Sequence, residues 1–206
     1  NNSLDLVMEN EKTKSNLSLV KCLARRESRK VRDTVTKEVL REGSRAVCRL
    51  ILESSHWMQA EQIMLYMPLP DELDIKPLLL NGLENKKRVA LPRFSTRNNV
   101  YEISEISSLN SLVAGKFGIS EPSKTSKNMD MMQLDLVIIC GLAFDRLGGR
   151  LGRGGGFFDR LLSETNAKKC GVCFDQQVHA AVPMEKHDIK MDMIATPSGW
   201  LIPPLT

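Results

Sequence analysis

The 206-residue sequence lacks the features of a membrane or secreted protein. Its longest apolar run, residues 134–142, contains Asp135 and is far shorter than the ~20 residues that a membrane-spanning helix needs. The polar stretch that starts at Asn1 has no apolar segment typical of a signal peptide. We therefore expect no membrane partner and a cytoplasmic location, or the mitochondrial matrix if a leader preceded Asn1.

Aromatic residues are also scarce, at 5% of the chain. The basic segment between Lys21 and Arg32 contains none of them, although aromatic side chains interleaved with basic ones are what stacks on bases. We therefore expect no nucleic-acid partner, and a module that binds RNA through this segment is the weakest interpretation. Small-molecule substrates and a monomer are expected instead.

Cysteine is present in an odd number, five, which without a secretory signal indicates free thiols in a reducing compartment. Cys170 and Cys173 have the C-x-x-C spacing of redox and zinc sites, but they lie in a predicted buried strand. Residues three apart in a strand point to opposite faces, and no second pair completes a tetrahedral zinc site. Both cysteines are interpreted as structural.

The pattern of apolar residues predicts one α/β domain over residues 1–206, in which residues 1–18 are frayed. Helical periodicity starts near Leu19 and again near Thr36, and shorter helices are expected at 75–81, 157–164 and 176–181. Strands are expected at 62–67, 88–91, 100–106, 136–140, 170–174 and 193–196. This alternation predicts a three-layer α/β/α fold with a mostly parallel sheet and a helical N-terminal segment.

A glycine-rich loop follows the predicted central strand, residues 136–140. Nearly half of the glycines of the chain lie between Gly148 and Gly156, together with Arg150 and Arg153. Glycine lets backbone N–H groups approach a ligand closely, and arginine donates paired hydrogen bonds that suit phosphate. The loop lacks the Gly-Lys-Ser/Thr ending of a Walker A loop and the glycine spacing of a Rossmann fingerprint. It predicts an anion site, against the alternative of a flexible turn without function.

Charged residues elsewhere have two interpretations each. Lys21, Arg25, Arg29 and Arg32 form one helical stripe that either faces solvent or contacts a polyphosphate. Asp159 either caps the helix after the loop or binds Mg²⁺. His187-Asp188 and Asp71-Glu72 are either turn formers or part of a site, in which Glu72 accepts an N–H pair.

Residues 135–160, from Asp-Leu-Val-Ile-Ile-Cys through the glycine loop to Phe-Phe-Asp-Arg, closely resemble the signature of the 5-formyltetrahydrofolate cyclo-ligase family. Weaker matches to the same family extend the resemblance from Lys21 to Thr196. They are Lys21-x-x-x-Arg25, residues 67–74, Leu91-Pro-Arg93, residues 117–122 and His187-Asp188.

The resemblance implies an enzyme that uses ATP and Mg²⁺ to cyclise 5-formyltetrahydrofolate to 5,10-methenyltetrahydrofolate, with release of ADP and phosphate. In this scheme the formyl oxygen is phosphorylated before the ring closes. Phosphoryl transfer depends mainly on positioning and charge neutralisation, for which arginines, backbone N–H groups and Mg²⁺ are suited.

The resemblance also implies the role of each site residue. Arg150 and Arg153 would be catalytic, and Asp159 and Asp188 would bind the metal. The ATP-binding set would be Lys21, Arg25, Arg150, Leu151, Gly152, Arg153, Gly154, Gly155, Gly156, Phe157 and Phe158. The folate-binding set would be Met67, Glu72, Phe117, Arg153, Gly154, Gly155, Gly156 and Phe157.

The chain departs from the family pattern at three positions. Phe157-Phe158 stand where the family usually has two tyrosines, so two hydroxyl groups are missing. Cys140 stands where proline is frequent, and Phe117 where some members have tryptophan. A non-catalytic folate- or nucleotide-binding protein on the same scaffold is therefore the alternative function.

Overall fold

The structure is a computed structural model that describes residues 2–97 and 99–204, with side chains described from Asn16 onward except that of Phe117. The α-helices are α1 (Asn2–Asp33), α2 (Lys37–Leu52), α3 (Ser55–Gln59), α4 (Lys76–Glu84) and α5 (Phe157–Leu162). None of the helices in these residues is long and apolar enough to span a membrane.

Twelve strands lie in the described residues. They are β1 (Gln62–Met64), β2 (Arg88–Ser95), β3 (Val100–Ile106), β4 (Leu112–Ala114), β5 (Ser120–Pro122), β6 (Leu136–Cys140), β7 (Ala143–Asp145), β8 (Arg150–Leu151), β9 (Lys168–Val172), β10 (Val178–His179), β11 (Met193–Thr196) and β12 (Gly199–Leu201). Seven of them form the main sheet in the order β12-β11-β9-β6-β1-β2-β3. Its five inner strands are parallel, and both edge strands are antiparallel.

The sheet confirms the predicted α/β class with a mostly parallel sheet, and β6 is its middle strand. Alternate residues of β6 belong to two apolar clusters: Leu136 and Ile138 to the first, Val137 and Ile139 to the second. Helices α2, α3 and α4 cover the first face, and α5 covers the second. The layers therefore follow from side chains that alternate along buried strands.

The topology leaves a crevice at one end of the sheet. The chain runs from β1 outward to β2 and β3, then returns to the other side of β1 as β6. Such a reversal of direction between neighbouring parallel strands opens a crevice at their carboxyl ends, where α/β proteins bind ligands. The glycine loop lies after β6 and the short β7–β8 hairpin, at this end.

One helix prediction was wrong. The helix expected at 176–181 is a 3₁₀ turn (Asp175–Gln177) followed by β10. There the Gln177 amide donates to the carbonyls of Gly141 and Leu142, which fixes the turn. The segment 2–18 belongs to α1, and its fraying stays a prediction.

The boundaries of three strands also differ from the prediction. The β1 strand ends at Met64 rather than at residue 67, and β9 begins at Lys168 and ends at Val172. The β2 strand extends to Ser95 because it pairs antiparallel with β3 along its whole length. Cys170 and Cys173 are buried in opposite core clusters, which confirms their structural interpretation.

Candidate active site

Asp145 shapes the start of the glycine loop. Its Oδ1 accepts hydrogen bonds from the N–H groups of Leu147 and Gly149, and its Oδ2 accepts one from Val182 N–H at 2.8 Å. A Cβ on Gly149 would lie 2.4 Å from Asp145 Oδ2, so only glycine fits beside this carboxylate. One buried side chain therefore ties the loop to the segment that leads to Asp188.

The tip of the loop needs glycine for its conformation. Gly154 and Gly156 have φ of +109° and +62°, in the left-handed region that other residues rarely adopt. Arg25 of α1 packs on this tip, where its Nε donates to Gly152 O at 3.0 Å. A Cβ on Gly154 would approach Arg25 Cζ to 3.4 Å. The shape of the loop thus follows from its glycines, with α1 as its support.

A cavity of about 400 Å³ lies between the loop and the carboxyl ends of β1, β2 and β6. Its apolar and aromatic lining comes from Tyr66, Met67, Leu69, Leu91, Pro92, Tyr101, Ile119, Phe157, Phe158 and Leu161. Its charged lining comes from Glu72, Glu121, Arg150, Arg153 and Asp159. A mostly apolar cleft of this size with a few polar groups is typical of small-molecule sites.

Glu72 and Arg153 are paired inside this cavity. Arg153 Nη2 and Nε donate to Glu72 Oε1 at 2.6 and 3.2 Å, and Glu72 Oε2 accepts from Leu69 N–H at 3.0 Å. Burial disfavours the charged guanidinium, but the Glu72 carboxylate outweighs it and raises the pKa of Arg153. Asp71 lies 3.5 Å from Arg153 and 2.5 Å from Arg32. Arg32 therefore supports the site, a role that the sequence did not indicate.

Cys140, at the end of β6, lies beside this pair. Burial raises the pKa of its thiol well above the usual value, and the charge of Glu72 raises it further. A thiol in that state is neutral at physiological pH and a poor nucleophile. Cys140 therefore forms part of the cavity wall.

Arg150 and Asp159 form a second ion pair of the cavity. Arg150 Nη2 donates to Asp159 Oδ2 at 2.9 Å, and Asp159 Oδ1 accepts from Ile189 N–H at 3.3 Å. Arg150 is 4% exposed, and its Nε has no hydrogen-bond partner in the described part of the chain. A buried guanidinium with an unused donor fits an anion that completes its hydrogen bonding.

We call Lys21, Arg25, Glu185 and Asp188 the ionic wall. Lys21, only 6% exposed, places its Nζ 2.6 Å from Glu185 Oε2 and 2.5 Å from Asp188 Oδ2. Burial raises the pKa of Asp188, but the Glu185 N–H and Lys21 outweigh it, so the net pKa is lowered. The wall joins residues more than 160 positions apart, and Arg25 connects it to the loop.

The predicted metal residues lie near each other in separate pairs. Asp159 is bound by Arg150 and contacts Ile189, the residue after Asp188. Asp188 is grouped with Glu185 and His187, whose ligand atoms lie within 4.8 Å of one another. The two carboxylates of this group supply the hard oxygen donors that Mg²⁺ prefers. Glu185 is thus a further candidate ligand, two residues before His187 in sequence.

The aromatic end of the loop packs against the edge of the sheet. The Phe157 ring lies 4.8 Å from Tyr101 and 6.4 Å from Phe94, in edge-to-face geometry. Phe158 instead packs against both core clusters, with the Arg150 guanidinium 5.6 Å from its ring. Phe157 therefore belongs to an aromatic cluster that borders the cavity. Phe158 holds helix α5 against the core.

Most of the predicted site residues come together in the structure. Those that line the cavity are Met67, Glu72, Arg150, Gly152, Arg153, Gly155, Gly156, Phe157, Phe158 and Asp159. Lys21, Arg25, Gly154 and Asp188 lie at the ionic wall or against it. The Leu151 side chain is buried with Ala143 and Val182, away from the cavity. The Phe117 side chain lies outside the described residues.

Several residues of the site were missed from the sequence. Tyr66, Tyr101 and Glu121 line the cavity, and Glu185 pairs with Lys21. Tyr66 directly precedes Met67, so its place near the end of the predicted strand 62–67 was a usable signal. Glu121 offered a weaker one, because it lies within the loop segment 117–122 that was matched only as a whole.

The fold and the site define a class: an α/β protein with a preformed small-molecule cavity at the crevice of its sheet, beside a cluster of charged groups. The sequence then places the chain within that class. Residues 18–197 match the model of the 5-formyltetrahydrofolate cyclo-ligase family, so the chain belongs to this enzyme family.

Curated relatives agree with that assignment. A 5-formyltetrahydrofolate cyclo-ligase of Escherichia coli K12 is 30% identical, over 82% of this chain and 96% of its own. One from Mycolicibacterium smegmatis is 31% identical, over 80% and 88%. The NMR structure of the Aquifex aeolicus 5,10-methenyltetrahydrofolate synthetase matches with a TM-score of 0.81 and 28% identity, covering 91% of this chain and 94% of that one.

Proposed function

We propose that the protein catalyses the ATP-dependent closure of 5-formyltetrahydrofolate to 5,10-methenyltetrahydrofolate. The observation that carries the proposal is the position of Arg153. Its side chain lines the apolar cavity, and the neighbouring residue Gly152 accepts a hydrogen bond from Arg25 of the ionic wall. A reaction between a folate and a nucleotide needs such a residue where the two substrates meet.

The reaction has two steps in this proposal. The formyl oxygen attacks the γ-phosphorus of ATP, ADP leaves, and an iminium phosphate forms at N5. The N10 nitrogen then attacks the formyl carbon, the N10 proton and phosphate leave, and the methenyl bridge remains. Because the transferred phosphoryl carries negative charge on its oxygens, a fixed guanidinium such as Arg153 stabilises the transition state of the first step.

The cavity suits the folate. Its volume of about 400 Å³ lies in the usual range for drug-sized ligands, and apolar side chains such as Met67 and Phe157 suit the flat ring systems. Glu72 accepts paired N–H donors of the pterin ring when its carboxylate is released from Arg153. The Glu72–Arg153 pair therefore opens on folate binding, and Arg153 becomes available to the phosphoryl group.

The ionic wall suits the triphosphate. Arg25 contacts the loop at Gly152, Lys21 lies in the same ionic wall, and Arg150, which lines the cavity, has an unused Nε that offers a further donor. Asp188 pairs with Lys21, and Asp159 pairs with Arg150. On ATP binding these cations exchange carboxylate partners for phosphate oxygens, which frees the carboxylates. Asp188, Asp159 and Glu185 are then the oxygen donors for the Mg²⁺ that accompanies ATP and neutralises phosphate charge.

A direct assay tests the proposal. The purified protein is mixed with Mg-ATP and 5-formyltetrahydrofolate, and the near-ultraviolet absorbance of the methenyl product is recorded together with ADP release. We expect both to rise at equal rates and to require both substrates. No product at high protein concentration would refute the proposal. Tight binding of both ligands without ADP release would instead support the non-catalytic alternative.

A further inference from the structure

Glu121 is a buried carboxylate that neither substrate-binding role uses. It lies on β5, is 5% exposed and lines the same cavity as Arg153 and Phe157. Carboxylates are rarely buried to this extent unless they are paired. Its position is therefore unusual for a residue without function.

The local structure holds this carboxylate in place. Glu121 Oε2 accepts a hydrogen bond from Phe94 N–H of β2 at 3.1 Å. Gly115 lies against the other side, where an added Cβ would be 2.3 Å from Glu121 Cδ. Glycine at this position of the hairpin between β4 and β5 thus provides the space that the carboxylate occupies.

The other oxygen of Glu121 is not fully used. Its Oε1 is shielded from solvent and makes no hydrogen bond of good geometry with a described residue, although the Tyr101 hydroxyl lies close enough to this carboxylate to interact with it. The other two carboxylates that line the cavity are fully engaged: Glu72 by Arg153 and Leu69 N–H, Asp159 by Arg150 and Ile189 N–H. Within the described residues, Glu121 is thus the cavity carboxylate with an oxygen available to a ligand. Leaving a buried acceptor unpaired is unfavourable, so a ligand that supplies a proton donor is favoured.

Other groups of the cavity are poor proton acceptors. Burial, the charge of Glu121 and a hydrogen-bonding interaction with its carboxylate raise the pKa of Tyr101 to about 12, so its hydroxyl stays protonated. The Cys140 thiol is neutral for the reason given above, and Arg150 and Arg153 are cations. Of the groups described at the cavity, the Glu121 carboxylate is the one suited to take up a proton.

We propose that Glu121 is the general base of ring closure and accepts the proton of N10 on its Oε1. The inference rests on the proposed function. As the N10–carbon bond forms, the N10–H bond breaks and its proton moves to Glu121. The carbon–oxygen bond to the phosphate then breaks, phosphate leaves with the bonding pair, and the positive charge stays on the methenyl bridge. The glutamic acid returns its proton to solvent after product release.

The variant Glu121→Gln separates the two chemical steps. Its amide oxygen can still accept from Phe94 N–H, but the side chain cannot take up a proton. We expect methenyl formation to fall by ~10²–10⁴-fold, as is usual for loss of a general base. Phosphoryl transfer should persist, so ATP labelled with ¹⁸O in the β,γ-bridge should still exchange that label into non-bridging positions when 5-formyltetrahydrofolate is present.

Matched variants make the result decisive. Glu105→Gln removes a carboxylate of β3 that pairs with Arg88 outside the cavity, and it should behave as wild type. Glu121→Ala should regain part of its ring-closure rate in added formate, which supplies an external carboxylate. Ring closure in Glu121→Gln within about tenfold of wild type would overturn the inference. Equal loss of label exchange and ring closure would also overturn it, since that indicates a binding or structural role. If wild-type protein itself forms no product, the proposed function fails instead.

Discussion

The cavity and the ionic wall are built in different ways, although the same loop borders both. The cavity is formed by the ends of neighbouring strands, and much of its lining consists of apolar side chains that continue the core. The ionic wall depends on ion pairs between α1 and a segment more than 160 residues later. The sheet therefore shapes the cavity, which we propose for the folate, whereas opposite charges hold together the ionic wall, which we propose for ATP.

We expect the largest loss of activity from a change at Arg153, because this residue lies where the proposed folate and ATP sites meet. In Arg153→Ala we expect kcat to fall by ~10³-fold or more, since a cation at the transferred phosphoryl is removed. The Arg153 side chain is 41% exposed, but Glu72, at 9%, loses its cation, so the thermal midpoint should also fall. Steady-state kinetics and a melting curve measure the two effects.

The control for Arg153→Ala is Arg146→Ala, which changes an exposed arginine before the loop and should keep full activity. A turnover rate of Arg153→Ala close to that of wild type would contradict our placement of the reacting phosphoryl group.

Lys21 tests the ionic wall alone. Lys21→Met keeps an unbranched chain but removes the charge, so we expect the KM for ATP to rise by ~10–100-fold with little change in the KM for the folate. Stability should also fall by about 3 kcal/mol, because Asp188 is left buried without its cation. Lys30→Met, on the exposed side of the same helix, is the control and should alter neither quantity. A similar rise in the KM for ATP and the KM for the folate would contradict the assignment of the ionic wall to ATP alone.

The pH dependence of stability tests the same wall. The pKa of Asp188 is lowered below its usual 3.8, so its stabilising contribution is present above that value and is lost as pH falls through the folded-state pKa. Asp188→Asn should be less stable than wild type at neutral pH, and the difference should shrink as pH falls below about 4. Urea denaturation at several pH values measures this. A constant difference would show that the Asp188 charge does not contribute.

The smallest change in kinetics is expected from a substitution in the lining of the cavity. Phe157→Tyr adds a hydroxyl to a ring that faces the ligand space, and one new hydrogen bond of about 1 kcal/mol lowers the folate KM by about fivefold. Phe158→Tyr is the contrasting variant. Its half-buried ring lines the cavity but also packs against both core clusters beside Arg150, so a hydroxyl there should change the folate KM less than at Phe157. Equal behaviour of the two variants would contradict their different positions.

The sequence predicted the sheet better than the charged contacts. Strands such as 136–140 and 193–196 were predicted with their bounds, because a buried strand is a continuous apolar run. Met67 and Glu72 were assigned to the folate site by the resemblance to the cyclo-ligase family, and both line the cavity. Phe157 and Arg153 came from the loop motif itself.

The other contacts of the site join residues that are far apart in sequence, so no local sequence pattern predicts them. Periodicity grouped Lys21, Arg25, Arg29 and Arg32, but in the structure Arg29 is exposed and Arg32 contacts Asp71. Glu121 and Glu185 have no motif of their own, since each acts through a partner far away in sequence. Only the folded chain brings these partners together.

The most direct test of the whole account is a crystal structure with a non-hydrolysable ATP analogue and Mg²⁺. We predict that the triphosphate contacts Lys21, Arg25 and the backbone N–H groups of the glycine loop, that Lys21 has left Asp188, and that the γ-phosphate lies beside Arg153. A nucleotide bound with its phosphates away from Lys21 and the loop would contradict the assignment of the ionic wall to ATP.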